Sequence, residues 1–171
     1  MKYKMTPELF FEKLINLYVE ARKVKFPKDN IVRGRNAVIS AHLEDLLAFF
    51  IASNNPKNCN YFTDQAIRFG KNTFYPDVVI QKKCKGIDHL VDVKADIGWN
   101  RKGMLNFCKD WDKRIELVKG QKTSFKDRAN DEKLDGVFSQ NLKYHVVIVS
   151  LVNSGKLVEE HKMEVQKNVK M

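Results

Sequence analysis

The hydrophobic pattern predicts two helices at the start of the chain. Apolar side chains recur at helical spacing from about residue 7 to 22, after Thr6-Pro7-Glu8, which combines a hydroxyl cap with a first-turn proline and acid. A second helix is predicted from an N-cap at Asn36 to about Ala52. It has almost no polar face, so we expect it to be largely buried. Packing alone does not explain why this helix contains Glu44.

A β-hairpin is predicted next. Residues 74–81 and 87–95 are strand candidates, and the five residues between them end in a glycine that suits a hairpin loop. A helix from about Lys102 to Val118 should follow, with one apolar stripe. Residues 144–152 are apolar on both faces and β-branched, which is typical of an interior strand.

The remaining segments are polar. Residues 119–142 are predicted to be rich in loops, with at most one short helix, and a charged tail follows Gly155. The order of elements predicts an α/β fold with a small mixed β-sheet flanked by helices. A length of 171 residues suits one domain, here residues 1–171 with a core at about 36–152.

Composition favours a polyanionic partner. Lys and Arg total 31 against 21 Asp and Glu, which gives a net charge of +10 and favours nucleic acid, although a basic protein without such a partner would also fit. The three cysteines form neither a disulfide framework nor a CxxC metal site, so we expect a reducing cytoplasm. Since no apolar run reaches transmembrane length, we expect no membrane association.

The predicted hairpin carries the candidate chemistry. Asp77 follows Pro76 at the start of the first strand, and Asp92 and Lys94 share one face of the second strand. Burying such charged groups costs several kcal/mol unless they are paired or bind an ion. Two adjacent carboxylates repel each other, and a divalent cation relieves the repulsion; oxygen ligands suit Mg²⁺, with Mn²⁺ as a substitute. The alternative is an Asp92–Lys94 ion pair, with Asp77 as a turn residue.

These residues resemble a known nuclease motif. Pro76-Asp77, the fifteen positions to Asp92, and Asp92-Val93-Lys94 are similar to the motif of the PD-(D/E)xK nuclease superfamily, which includes many restriction endonucleases. The resemblance implies a restriction-endonuclease-like core, with Asp77 and Asp92 as metal ligands and Lys94 positioning or activating water. It also implies a role for Glu44 at the metal centre, because many members carry an acid on the helix before the hairpin. The alternative for Glu44 is a buried pair with an arginine.

Nucleic-acid contacts are predicted at two places. Arg33, Arg35 and Asn36 should lie at the N-terminus of the second helix, where free N–H groups and the helix dipole favour phosphate. Past Lys94, Trp99 is placed to stack on a base beside Arg101 and Lys102. A partly buried tryptophan and solvated basic residues are the alternatives.

The sequence therefore predicts a Mg²⁺-dependent endonuclease, acting on double-stranded DNA in the manner of a restriction enzyme and able to dimerise. Other nuclease functions stay open: a junction or repair nuclease, or a toxin acting on DNA or RNA, with an immunity protein as partner. A nucleic-acid-binding module without catalytic activity, or a structural protein with incidental charge, would also fit. Affinity that falls steeply with salt would argue against the structural protein.

Overall fold

The chain forms two compact units. A computed structural model describes residues 4–55, 58–95, 103–127, 130–150, 152–153 and 156–169. One unit comprises residues 1–57 and the other residues 58–171. The described residues contain four helices, a seven-stranded mixed sheet and a separate two-stranded sheet, so the α/β class is confirmed. None of the helices in these ranges is long and apolar enough to cross a membrane.

The first unit is a pair of packed helices, α1 (Pro7–Ala21) and α2 (Ser40–Asn54). Thr6 caps α1 as predicted, since its hydroxyl accepts the backbone N–H of Leu9 at 3.3 Å. The rings of Phe10 and Phe50 lie 5.2 Å apart where the helices meet. The α1 prediction is confirmed.

The prediction for the start and burial of α2 is wrong. The helix begins at Ser40 and no side chain caps it, so Asn36 is not its N-cap. The backbone N–H of Ala37 instead donates to the carbonyl of Ala21 at 2.8 Å, so this segment completes the end of α1. The helix is also less buried than expected, because Phe49 is 47% exposed.

The second unit is built on the sheet. In chain order its strands are β1 (Cys59–Thr63), β2 (Ile67–Phe69), β3 (Asn72–Phe74), β4 (Val78–Lys82), β5 (Gly86–Lys94), β6 (Lys122–Asp127) and β7 (Glu132–Ile148). Across the sheet they lie in the order β1-β4-β5-β7-β6-β2-β3. The β5–β7 pair is parallel, and the other pairs are antiparallel.

The hairpin and the crossover helix are confirmed, but the first strand of the hairpin begins at Val78 and not at residue 74. Strands β4 and β5 pair directly, and the connection from β5 to the parallel strand β7 runs through α3 (Gly103–Val118) and then β6. The predicted stripe of α3 packs on the sheet, where Trp111 and Ile115 join Leu90 and Phe138 in the main core cluster. This packing covers the sheet face that carries Leu90, the same face that the alternation of β5 assigns to Asp92 and Lys94.

The prediction that residues 119–142 are rich in loops is wrong. Residues 119–142 contain β6 and most of β7, and β7 is 17 residues long. Inward Thr123 and Phe125 alternate with outward polar residues on β6, so a polar composition concealed a period-2 pattern. The strand predicted over 144–152 is shorter, because β7 ends at Ile148 and Val152–Asn153 forms β8, which pairs with β9 (Lys156–Leu157). α4 (Val158–Asn168) follows β9 and packs on α3 through Val165.

Candidate metal centre

Asp77 and Asp92 converge where the β4–β5 ladder ends. The last backbone pair is Val78 with Val91, so Asp77 lies opposite Asp92 one step further along. Side chains continue the ladder there. The Asp77 carboxylate accepts the backbone N–H of Val93 at 2.7 Å, and the Asp92 carboxylate accepts the backbone N–H of Asp77 at 3.3 Å. The two acids therefore hold each other's strand in register.

Lys94 lies between the two carboxylates. Its Nζ is 3.4 Å from Oδ2 of Asp77 and 3.2 Å from Oδ2 of Asp92. The same ammonium is 5.7 Å from the centroid of the Phe107 ring on α3. The side chains of Asp77, Asp92 and Lys94 are 18%, 6% and 14% exposed, so the cluster is largely out of water. The alternation predicted for β5, with Asp92 and Lys94 on one face, is confirmed by this contact.

The cluster carries unbalanced charge. Two carboxylates and one ammonium sum to one negative charge when all three are ionised. Burial raises the pKa of Asp77, and the negative charge of Asp92 raises it further, while Lys94 and the Val93 N–H act in the opposite direction. The single positive charge of Lys94 therefore does not offset the desolvation of the Asp77 carboxylate and its repulsion by Asp92.

Tyr144 closes the centre from β7, and sequence reasoning did not assign it to the site. Burial, and then the neighbouring Asp92 carboxylate, raise the pKa of its hydroxyl far above the usual range. Its ring stacks on Trp111 with centroids 4.1 Å apart and an interplanar angle of 13°. The register of β5 and β7 is the signal that assigns Tyr144 to the site. Leu90 is its partner on β5, so Tyr144 shares a sheet face with Leu90 and Asp92.

A hard divalent cation fits the donors at this centre. Asp77 and Asp92 offer carboxylate oxygens only, and their net charge with Lys94 is negative. Within the described ranges, no three His, Cys, Asp or Glu side chains group as metal ligands. Mg²⁺ does not need such a group, because it commonly binds one or two carboxylates and keeps several waters or substrate oxygens.

The structure describes some of the other predicted site residues and not all of them. Glu44 is half-buried on α2 in the first unit, and its role at the metal centre stays a prediction. Arg33 and Arg35 are exposed in the segment before α2, where the Arg33 Nε donates to the Lys23 carbonyl at 2.9 Å. They do not flank a helix N-terminus, which removes the stated reason for phosphate binding there. Trp99, Arg101 and Lys102 lie outside the described residues.

The likeness to the PD-(D/E)xK superfamily rests on the motif and on the hairpin that displays it. No family model, curated protein or solved structure matches the chain. What is observed is the convergence of Asp77, Asp92 and Lys94 on the β4–β5 hairpin beside a crossover helix.

Proposed function

We propose that the chain is a metal-dependent endonuclease with a restriction-endonuclease-like core that hydrolyses phosphodiester bonds of double-stranded DNA. The observation that carries the proposal is the contact of one lysine with two carboxylates, one buried and one largely buried, that face each other across a hairpin. An ion pair made only for stability would need one acid. The additional acid leaves negative charge that Lys94 does not balance, in line with the raised pKa of Asp77, and a bound cation would balance it.

The roles of the side chains follow from their chemistry. Asp77 and Asp92 would hold Mg²⁺ or Mn²⁺ through their free carboxylate lone pairs, and the Val93 N–H keeps the Asp77 carboxylate oriented. When bound, the cation would supply Lewis acidity towards a phosphate oxygen. Lys94 would hold positive charge at the scissile phosphate and orient the attacking water, since its ammonium already lies at the carboxylates.

The substrate class is argued from charge. A net charge of +10 attracts a polyanion, and duplex DNA carries one negative charge per about 1.7 Å of its axis. Cutting both strands in the manner of a restriction enzyme would call for two copies of the centre, hence the proposed homodimer.

Cleavage assays test the proposal. The purified chain is incubated with supercoiled plasmid, linear duplex, single-stranded DNA and RNA, each with Mg²⁺, Mn²⁺ or EDTA. We expect plasmid nicking or linearisation that needs the metal. Asp77→Asn and Lys94→Ala should each lower the rate by about 10²-fold or more, the order seen when one group that stabilises a transition state is removed.

Asp88→Asn is the matched control. Asp88 lies on the same strand and pairs with Lys82 instead of the centre, so its replacement should leave cleavage unchanged. Cleavage by Asp77→Asn at the wild-type rate would contradict the proposal. Cleavage of RNA alone would favour the toxin alternative and its immunity partner, and binding without cleavage under every metal would favour the binding module.

A further inference from the structure

The outer side of α1 is apolar although it lies in solvent. The buried residues of the helix are Phe10, Leu14 and Ala21, on the side where Phe10 meets Phe50 of α2. The other side carries four large apolar residues, each more than a third exposed, here called the α1 stripe: Phe11, Ile15, Tyr18 and Val19. A single exposed apolar residue is ordinary, but several together on one side of a helix are typical of a contact with another molecule.

The stripe has the spacing of a seam between two helices. Positions 8, 11, 15, 18 and 22 are three and four residues apart in turn, which is the a and d pattern of a heptad. At about 3.6 residues per turn, these positions stay on one side of the helix. The first and last of them are the exposed residues Glu8 and Arg22, so a carboxylate and a guanidinium bound the apolar centre.

The two end charges select the orientation of a partner helix. Glu8 and Arg22 are each seven positions from Ile15, which is about 10.5 Å along the axis. A second α1 that lies antiparallel, with a two-fold axis at Ile15, therefore brings its Arg22 to Glu8 and its Glu8 to Arg22. Parallel pairing would bring like charges together and would align the two helix dipoles unfavourably. The charges thus favour a second, antiparallel copy of the same helix.

The same side of α1 is a poor match to an anionic membrane surface. The helix carries the exposed acids Glu8, Glu12 and Glu20 against a single lysine, Lys13. Amphipathic helices that bind membranes are rich in lysine and arginine on the polar face, because anionic head groups attract them. The charge of α1 has the opposite sign.

We propose that α1 pairs with α1 of a second copy of the chain, antiparallel and about a two-fold axis at Ile15, to form a homodimer. Ile15 meets its counterpart, Phe11 packs on Tyr18 of the second copy, and Glu8 pairs with Arg22 at both ends. A contact of this kind is self-complementary and closes at two copies. It supplies an interface for the homodimer that cutting both strands calls for, but it rests on the helix and not on cleavage.

Analytical ultracentrifugation of the full chain, without DNA or metal, tests the pairing. A helix of 15 residues gives a small interface, so we expect a reversible dimer with a dissociation constant on the order of micromolar. Ile15→Glu brings two carboxylates to the two-fold axis and should leave a monomer. Leu117→Glu makes the same change at an exposed apolar position of α3 and should leave the dimer intact. A wild-type chain that is monomeric at every concentration, or a dimer that survives Ile15→Glu, would overturn the proposal.

Charge exchange tests the orientation. Glu8→Arg and Arg22→Glu each bring like charges together at both ends of the dimer, and each should weaken dimerisation by roughly tenfold. The double variant restores opposite charges and should regain most of the affinity. The two positions are about 21 Å apart along one helix, so only contact between copies explains such a regain. Both changes oppose the helix dipole, so a more stable helix cannot explain it either. Failure of the double variant to regain affinity would refute the antiparallel pairing.

Two further outcomes separate the pairing from the other proposals. If wild type binds lipid vesicles while it stays monomeric, and Ile15→Glu abolishes that binding, the stripe is a membrane contact and the pairing is refuted. Cleavage of DNA by a chain that stays monomeric would support the nuclease and refute the pairing. A dimer that Ile15→Glu dissociates but that cuts no DNA would support the pairing and count against the nuclease.

Discussion

At the scale of single residues, Asp77 is the group of the candidate centre whose ionised form opposes folding. It lies in a largely buried position beside a second carboxylate, and its pKa is raised above the ordinary value of 3.8. An acid whose pKa is raised on folding adds stability only while protonated. Its contribution is therefore complete below pH 3.8 and is lost as the pH rises through the folded-state pKa.

The raised pKa of Asp77 predicts how the variant Asp77→Asn changes stability. In EDTA at pH 7 the variant should melt at a higher temperature than wild type, because a neutral amide avoids the desolvation and the repulsion from Asp92. The difference should shrink as the pH falls towards 3.8. Thermal unfolding of both proteins between pH 3 and 8 measures it.

Asp88→Asn provides the contrast. A hydrogen bond from Lys82 lowers the pKa of Asp88, so its ionised form favours the folded state and the variant should be no more stable at pH 7. A lower melting temperature for Asp77→Asn at pH 7 would show that its pairing with Lys94 outweighs the cost of burial.

Tyr144 gives a second test at this scale. Its hydroxyl is buried and makes no hydrogen bond of normal geometry to the described residues, so Tyr144→Phe should change the free energy of unfolding by less than about 1 kcal/mol. Urea denaturation measures this, with the exposed Tyr75→Phe as control. A loss above about 2 kcal/mol would show that the hydroxyl is a necessary donor to Asp92.

At the scale of elements, α3 joins the candidate centre to the core. Trp111 is 4% exposed and stacks on Tyr144, and one turn earlier Phe107 contacts the ammonium of Lys94. The face of the helix that stabilises the sheet therefore also supports the centre. Its stripe was predictable from sequence because helical spacing is a strong signal.

Trp111→Ala should destabilise the chain by about 3–5 kcal/mol, the range for removing a buried aromatic side chain. Leu117→Ala on the same helix is the control, since Leu117 is 68% exposed and should change stability by about 0.5 kcal/mol or less. Chemical denaturation gives both values. Similar losses in the two variants would mean that α3 does not pack as described.

Short strands were harder to predict than helices or the hairpin. β2 and β3 are three residues each, too few to establish a period, and β6 hides two inward residues among lysines and an aspartate. The motif acids were found because they flank a strong hairpin signal. Tyr144 was not assigned, because its place depends on the parallel pairing of β5 with β7, which sequence spacing does not reveal.

At the scale of the whole molecule, charge decides the expected partner. The net charge of +10 is spread over a chain whose candidate centre is itself negative before it binds a cation. Attraction of a polyanion must therefore come from residues outside the centre. This separates binding from cleavage and lets each be measured alone.

Affinity for duplex DNA should fall steeply with salt. Displacing counterions at several phosphates gives a slope of about −0.9 per contact in a plot of log affinity against log salt. Fluorescence anisotropy in Ca²⁺ or EDTA measures this slope. Asp77→Asn should bind at least as tightly as wild type, because it removes a negative charge. A flat salt response would favour a protein whose basic charge is incidental.

The connectivity of the centre also has a kinetic consequence. Asp77 and Asp92 are 15 positions apart on one hairpin, whereas Tyr144 and α3 reach them through the long-range β5–β7 pairing. Local contacts close before distant ones in a refolding chain. The two acids should thus meet while still hydrated and lose their water only when β7 docks. Protons or cations that neutralise them at that moment would speed the final assembly of the sheet.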